Sequence, residues 1–150
     1  MASDGAQRWW QRWRRARPAP DLDPERSDLV VVASTFDDAE AASVALARAA
    51  ATPPAWDAAA PAVLRHHLVL PAGQVADAVA VAAQDGYAAA EAGPPAGVPL
   101  PDVPGGRPVV LQRVQVLDAL HCSQERSRMA GLAQRRDGVA LGWDALQPEG

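Results

Sequence analysis

The chain has 150 residues, of which 49% are hydrophobic, 21% charged and 5% aromatic, a profile typical of one globular domain. Alanine accounts for 34 residues, so the expected core is thin, and no apolar run approaches the ~18–20 residues that a transmembrane helix needs. The net charge of −4 divides unevenly, because residues 1–20 carry five Arg and one Asp, and the single Cys excludes an internal disulfide.

Beyond residue 20 the chain is acidic, with nine Arg and 17 acidic residues, which disfavours direct binding of a nucleic-acid backbone. Arg14 and Arg15 lead into Pro18 without the apolar segment of an export signal, which excludes a secretory or twin-arginine signal. We therefore expect a cytoplasmic protein. The complete absence of Lys is typical of codon bias in a GC-rich bacterial genome.

Residues 1–27 are predicted to be a disordered tail rich in Arg and Trp. In a helix, Trp9, Trp10 and Trp13 would share one side and Arg12 and Arg15 the other, but isolated helices this short are marginal in water. Such a segment is either an unstructured leader or a contact for single-stranded nucleic acid, a membrane interface or another protein.

Residues 28–147 are predicted to be one α+β domain. A β-branched run at residues 29–33 predicts a strand, and Thr35 with Asp38 approximates a capping box for a helix over residues 36–51. A second strand is expected over residues 63–70, and Pro71 suits the first turn of the helix that follows it.

The pattern β-α-β then occurs twice. The first unit continues with a helix stripe at Val75, Ala78, Val79 and Ala82, a left-handed cap at Gly86 and a strand over residues 87–91.

A Pro/Gly-rich loop over residues 93–108 precedes the second unit, which has a strand over 109–117 and a helix over 123–136. That helix is predicted to bury Met129, Leu132 and Ala133, and a last strand begins at Val139. Two tandem units predict a ferredoxin-like split β-α-β sandwich, a four-stranded antiparallel sheet with both helices on one face, and the N-terminal β-α element adds to it.

The residues capable of catalysis or metal binding form no recognisable set. His66 and His67 are adjacent on a strand and point to opposite faces, so they do not suit one metal ion, and no zinc-ligand spacing occurs. We expect one of them to be packed and the other to lie on the surface. Cys122 beside His121 has the residue types of a nucleophile and base, but sequence neighbours rarely adopt attack geometry. Phosphate-binding loops are also missing, and we expect no enzyme activity, metal or cofactor.

Arg128 and Arg135 lie seven residues apart and share one side of the last predicted helix. This pair is either a solvated rim or a contact for an acidic partner.

Several short motifs, in this order, resemble the RraB-like family of protein regulators of ribonuclease E. They are His66-His67 at a strand end, Gly86-Tyr87 after the next helix, and Gly142-Trp143 on the last strand. The resemblance covers roughly residues 62–147. The chain departs from the family pattern at Ala140-Leu141, where Tyr-Asp is usual, and in the Pro/Gly-rich loop.

The resemblance implies a ferredoxin-like fold and a non-catalytic regulator that binds an endonuclease of the RNA-decay machinery by protein–protein contact. By analogy with the family, His66, His67, Gly142 and Trp143 are either partner contacts or packed strand positions. The alternative is a small-ligand-binding or small enzymatic ferredoxin-like domain that uses the His66/His67 strand. That alternative requires a concave pocket lined by polar groups beside the strand.

Overall fold

The computed structural model describes residues 21–150, which form five strands and three α-helices. In chain order these are β1 (Leu29–Thr35), α1 (Ala42–Ala51), β2 (Pro61–Pro71), α2 (Val75–Ala83), β3 (Ala88–Ala90), β4 (Gly106–Val116), α3 (Ala119–Gln134) and β5 (Val139–Pro148). A short 3₁₀ turn at Ala72–Gln74 connects β2 to α2.

The strands form one sheet in the order β1-β5-β2-β4-β3, and every neighbouring pair is antiparallel. The predicted α+β class is therefore confirmed, but the sheet has five strands rather than four. The additional strand is β1, which belongs to the predicted N-terminal β-α element and lies at the edge of the sheet beside β5. The centre of the sheet is β2, with β5 on one side and β4 on the other.

All three helices pack on one face of the sheet. Alternate residues of β2 point to that face: Ala62 and Leu64 meet α1 and the start of α3, whereas Leu68 and Leu70 meet α2 and the rest of α3. The last helix buries Met129, Leu132 and Ala133, as predicted from their spacing. Alanines make up most of the buried residues of α1 and α2, and they allow these helices to lie close to the sheet.

The predicted starts of two helices are wrong. The first helix begins at Ala42 instead of residue 36, because Thr35 remains in β1 opposite Trp143 and Asp37 caps a turn by accepting from the Ala39 N–H at 2.9 Å. The last helix begins at Ala119 instead of residue 123, because the Asp118 carboxylate accepts from the His121 N–H at 2.7 Å and caps it there.

Pro71 ends β2 and is not part of a helical turn. Farther along, Gly86 closes α2 with φ +84°, which confirms the predicted left-handed cap. The following strand is shorter than expected and includes only Ala88–Ala90. The Pro/Gly-rich loop ends three residues earlier than predicted, since residues 106–108 already pair in β4.

We predict that Gly142→Ala destabilises the fold by about 1–3 kcal/mol, the usual cost of overpacking. Gly142 has φ +149°, and a Cβ there would overlap the Thr35 carbonyl oxygen and lie 2.8 Å from Phe36 Cα. Chemical denaturation measures the loss. Gly93→Ala is the matched control, because no atom of residues 21–150 comes within 4 Å of its Cβ position, and it should stay within ~0.5 kcal/mol of wild type. Equal stability of the two variants would contradict the close approach of β5 and residue 36.

Candidate functional site

The central strand β2 directs its two histidines to opposite faces of the sheet. His66 faces the helices, with its ring 5.6 Å from that of Tyr87 in an edge-on contact. His67 faces the other side and meets Phe36 in a similar contact at 5.4 Å. The two imidazoles therefore diverge as the sequence predicts, and they do not converge on one site.

The motifs that are far apart in the sequence meet on neighbouring strands. His66 is the register partner of Trp143, and His67 is the partner of Gly142. The side chains of His66, His67 and Trp143 are almost completely buried, at 2%, 1% and 0% exposure. These three side chains therefore belong to the interior. The expectation of one surface histidine is wrong, because Phe36 packs against His67 on the face of the sheet opposite the helices.

An ion pair joins β2 to β5 on the face opposite the helices. Arg65 donates two hydrogen bonds to the Asp144 carboxylate, at 2.7 and 2.6 Å, and Asp144 is completely buried. His67 Nε2 lies 3.1 Å from Asp144 Oδ1 but outside hydrogen-bond geometry. Burial alone would raise the pKa of Asp144, but the contacts with His67 and Arg65 outweigh it and hold that pKa below its ordinary value.

A second polar cluster lies between the sheet and α3. The Arg113 guanidinium lies 4.4 Å from the centre of the Tyr87 ring, and it donates to Gln115 and Glu125 and to the Asp85 carbonyl oxygen. Gln115 donates to the other oxygen of Glu125 at 3.1 Å. Burial, reinforced by the Glu125 charge, raises the pKa of the Tyr87 hydroxyl. This cluster therefore holds a carboxylate and a guanidinium as a mutually neutralised pair.

A surface groove of about 580 Å³ lies between α3, the start of α1 and the start of β5. At its inner end is a small chamber of about 40 Å³, which shares Asp38, Arg126, Ala130 and Ala140 with the groove and is also lined by His66. The Nε2 atom of His66 is buried and has no hydrogen-bond partner within residues 21–150. A polar group of about the size of water fits this chamber.

The buried position keeps His66 neutral. Burial, together with the positive charge of Arg113, lowers the pKa of His66 to about 3. At neutral pH the imidazole can donate or accept one hydrogen bond at Nε2 without carrying charge.

The adjacent Cys122 and His121 are not arranged as a nucleophile and base. Cys122 is completely buried, and this burial raises the pKa of its thiol to about 12. His121 is on the surface, where its Nδ1 lies 2.6 Å from the Asp118 carboxylate.

The two candidate arginines are both exposed, Arg128 on α3 and Arg135 at the cap that ends this helix. Arg128 forms an ion pair with Asp85 at 2.9 Å, and the Arg135 guanidinium lies over Gly131. Among the predicted partner contacts that lie within residues 21–150, these two arginines are the exposed ones. Trp9, Trp10, Trp13, Arg12 and Arg15 lie outside the described residues.

The sequence interpretation missed the buried ion pairs. Arg65 is the single charged residue of β2, and Asp144 is the single charged residue of β5. One opposite charge in each of two apolar strands is a signal that could have predicted their pairing. Arg113 and Glu125 gave no comparable signal, because each appeared as one polar residue among several on an amphipathic element.

Residues 21–150 contain no group of three or more His, Cys, Asp or Glu side chains arranged to hold a metal ion. None of the helices in that range is long and apolar enough to cross a membrane. Comparisons of the chain with protein-family models, with curated proteins and with solved structures found no significant match.

We predict that His66 makes the fold sensitive to acid. Because the pKa is about 3 in the folded protein and ~6.5 when unfolded, the unfolded chain binds the proton first as the pH falls. His66 should therefore reduce the free energy of unfolding by about 1.4 kcal/mol per pH unit between roughly pH 6.5 and 3.

Denaturation at several pH values measures that slope. His66→Phe should flatten it, whereas the control Trp143→Phe removes buried volume, has no titrating group and should lower stability without changing the slope. An unchanged slope in His66→Phe would contradict the neutral, buried state of this histidine.

Proposed function

We propose that this chain is a non-catalytic regulatory protein of the RraB-like type. In this proposal it acts in the cytoplasm, where it binds an endonuclease of the ribonuclease E type by protein–protein contact and modulates its activity. The partner belongs to the RNA-decay machinery, and the body of the chain does not bind nucleic acid itself.

One observation carries the proposal. The three motifs on which the family resemblance rests form a single cluster, although they span residues 66–143. His66 pairs in register with Trp143, His67 pairs with Gly142, and the Tyr87 ring contacts His66. Motifs that serve one structural purpose are expected to meet in this way, whereas chance matches along a sequence are not.

The strand order supports the corresponding fold. Without β1, the remaining strands lie in the order β5-β2-β4-β3, so each β-α-β unit has one strand of the other unit inserted between its own two. We propose that this part is a ferredoxin-like split β-α-β sandwich to which β1 and α1 are added at the β5 edge.

The chemistry of the buried polar groups also favours a binding role. Asp144 and Glu125 are paired with arginines, and the Cys122 thiol has a pKa of about 12. Pairing and the raised thiol pKa keep these groups unreactive, as is usual for polar residues with a structural role.

The surface is suited to contact with a protein more than with RNA. The described residues belong to the acidic part of the chain, which repels a phosphate backbone. Arg128 on α3 and Arg135 at its C-terminal cap are exposed basic residues suited to contact acidic side chains of a partner.

A second candidate function is a small-ligand-binding domain. The chamber beside His66 Nε2 favours it, because a buried imidazole nitrogen without a partner is suited to bind the polar end of a ligand. His67 faces the opposite side of the sheet and would not contribute to that site.

The test combines the purified full chain with the ribonuclease E-type endonuclease of the same organism and a defined RNA substrate. We expect saturable binding and a change in the RNA cleavage rate that increases with the amount of this chain. Absence of binding at micromolar concentrations, together with unchanged cleavage, would overturn the proposal.

The double variant Arg128→Ala/Arg135→Ala tests the contact surface. If α3 contributes to the contact, the affinity of the double variant for the endonuclease should fall by about fivefold or more, as expected for loss of rim charges. Arg107→Ala is the matched control, since Arg107 is an exposed arginine on β4 outside the predicted site, and it should bind like wild type.

A further inference from the structure

The first residues of β5 form an open edge in the sheet. Over residues 143–146 β5 lies between β2 and β1, and the pairing with β1 ends where Thr35 meets Trp143. Val139 and Ala140 pair with Val69 and Leu68 of β2. On their other side no strand of the described part of the chain pairs with them.

An open strand edge presents unpaired backbone groups. In an antiparallel sheet, alternate residues direct their N–H and C=O groups toward one neighbour and the residues between them toward the other. The residues from Val139 to Leu141 therefore direct some of these groups into the space that β1 would occupy if it were longer. Val139 is 40% exposed, so solvent reaches this edge.

The groove of about 580 Å³ follows this open edge. Gly138, Val139 and Ala140 line one side of it, and the segment from Asp38 to Ala42 lines the opposite side. Above the edge, α3 presents Ser123, Ser127 and Ala130, which are small, so an extended chain could approach β5 closely.

We propose that this groove binds an extended segment of a partner protein, which adds to β5 as a short antiparallel or parallel strand. The inference rests on the proposed function, because it names the surface and the kind of segment by which a protein partner is recognised. Main-chain hydrogen bonds to the open edge supply the affinity, and the groove walls select the side chains.

The residues that line the groove favour a partner segment with small, uncharged side chains. Arg126 is occupied by the carbonyl oxygens of Glu40 and Asp37, at 2.7 and 2.6 Å, and it lies 3.8 Å from the Asp38 carboxylate. The Glu40 carboxylate is paired with Arg48. Arg126 and Glu40 are therefore engaged within the protein, and a charged side chain beside them would lack a partner. Asp38 lies at the rim, where its side chain is 94% exposed.

The chamber provides a second element of selection. Its volume of about 40 Å³ accepts a side chain no larger than that of alanine or serine, and a serine hydroxyl there could pair with His66 Nε2. The open edge from Val139 to Leu141 corresponds to about 10 Å of strand, or roughly three residues of the partner.

The test uses the full chain labelled with ¹⁵N and a blocked hexapeptide of alternating alanine and serine. We expect saturable shifts of the amide signals of residues 139–141 and amide exchange at this edge at least ten times slower with bound peptide. The same peptide methylated on alternate amide nitrogens should bind at least ten times more weakly, because it lacks the donors that the edge requires.

Ala130→Trp fills the groove from an exposed helix position and should abolish the shifts. Gln124→Trp is the matched control, because Gln124 is exposed on the same helix but outside the groove lining, and it should leave the shifts unchanged. Absence of shifts at millimolar peptide would overturn the inference. Shifts that methylation leaves unchanged would also overturn it, because they would indicate a small-ligand pocket instead of strand addition.

The endonuclease assay separates the two proposals. If the chain binds the endonuclease but Ala130→Trp does not weaken that binding, the proposed function stands and the inference that the groove holds the partner is wrong. If the peptide binds at the edge but the endonuclease does not bind the chain, the groove stands as a peptide site and the identity of the partner is wrong.

Discussion

The buried ion pair between Arg65 and Asp144 is the interaction on which the rest of the structure depends. Asp144 has no exposed surface, and a carboxylate in that position is strongly destabilising unless it is paired. Within residues 21–150 its only arginine partner is in β2, so β2 and β5 must align with these two residues opposite each other. A shift by one residue would turn Asp144 into the hydrophobic core and Trp143 out of it.

This register determines where the other groups lie. With Arg65 opposite Asp144, His66 lies opposite Trp143 and His67 opposite Gly142, so the motif cluster follows from the pairing. Trp143 then enters the core beneath α1, and Gly142 lets residue 36 pass close to β5. Because the chain turns away from the sheet at that point, no second strand of the described residues pairs with the first residues of β5. The ion pair and the open edge are therefore connected through the end of β1.

Much of the fold could be predicted from the sequence, because β-branched runs and helical stripes are local signals. The strand at Leu29–Thr35, the two β-α-β units and the buried stripe of α3 were found in this way. The start of α1 could not be predicted in this way. Thr35 either caps a helix or stays in a strand, and which of these occurs depends on its pairing with Trp143, 108 residues away in the chain. The opposite orientation of His66 and His67 could be predicted, but the expectation that one of them lies on the surface is wrong, because burial depends on which residues cover them in three dimensions. The groove was also beyond prediction, as it arises where β1 happens to end.

A double-mutant cycle on Arg65 and Asp144 tests the central claim most directly. Arg65→Met and Asp144→Leu each leave the other charge unpaired, and each should lower the free energy of unfolding by about 3–5 kcal/mol. The double variant removes both charges, so it should be more stable than the sum of the single losses predicts, with a coupling energy of about 2–3 kcal/mol. Additive losses, with a coupling below ~0.5 kcal/mol, would contradict the claim that this pair holds β2 and β5 in register.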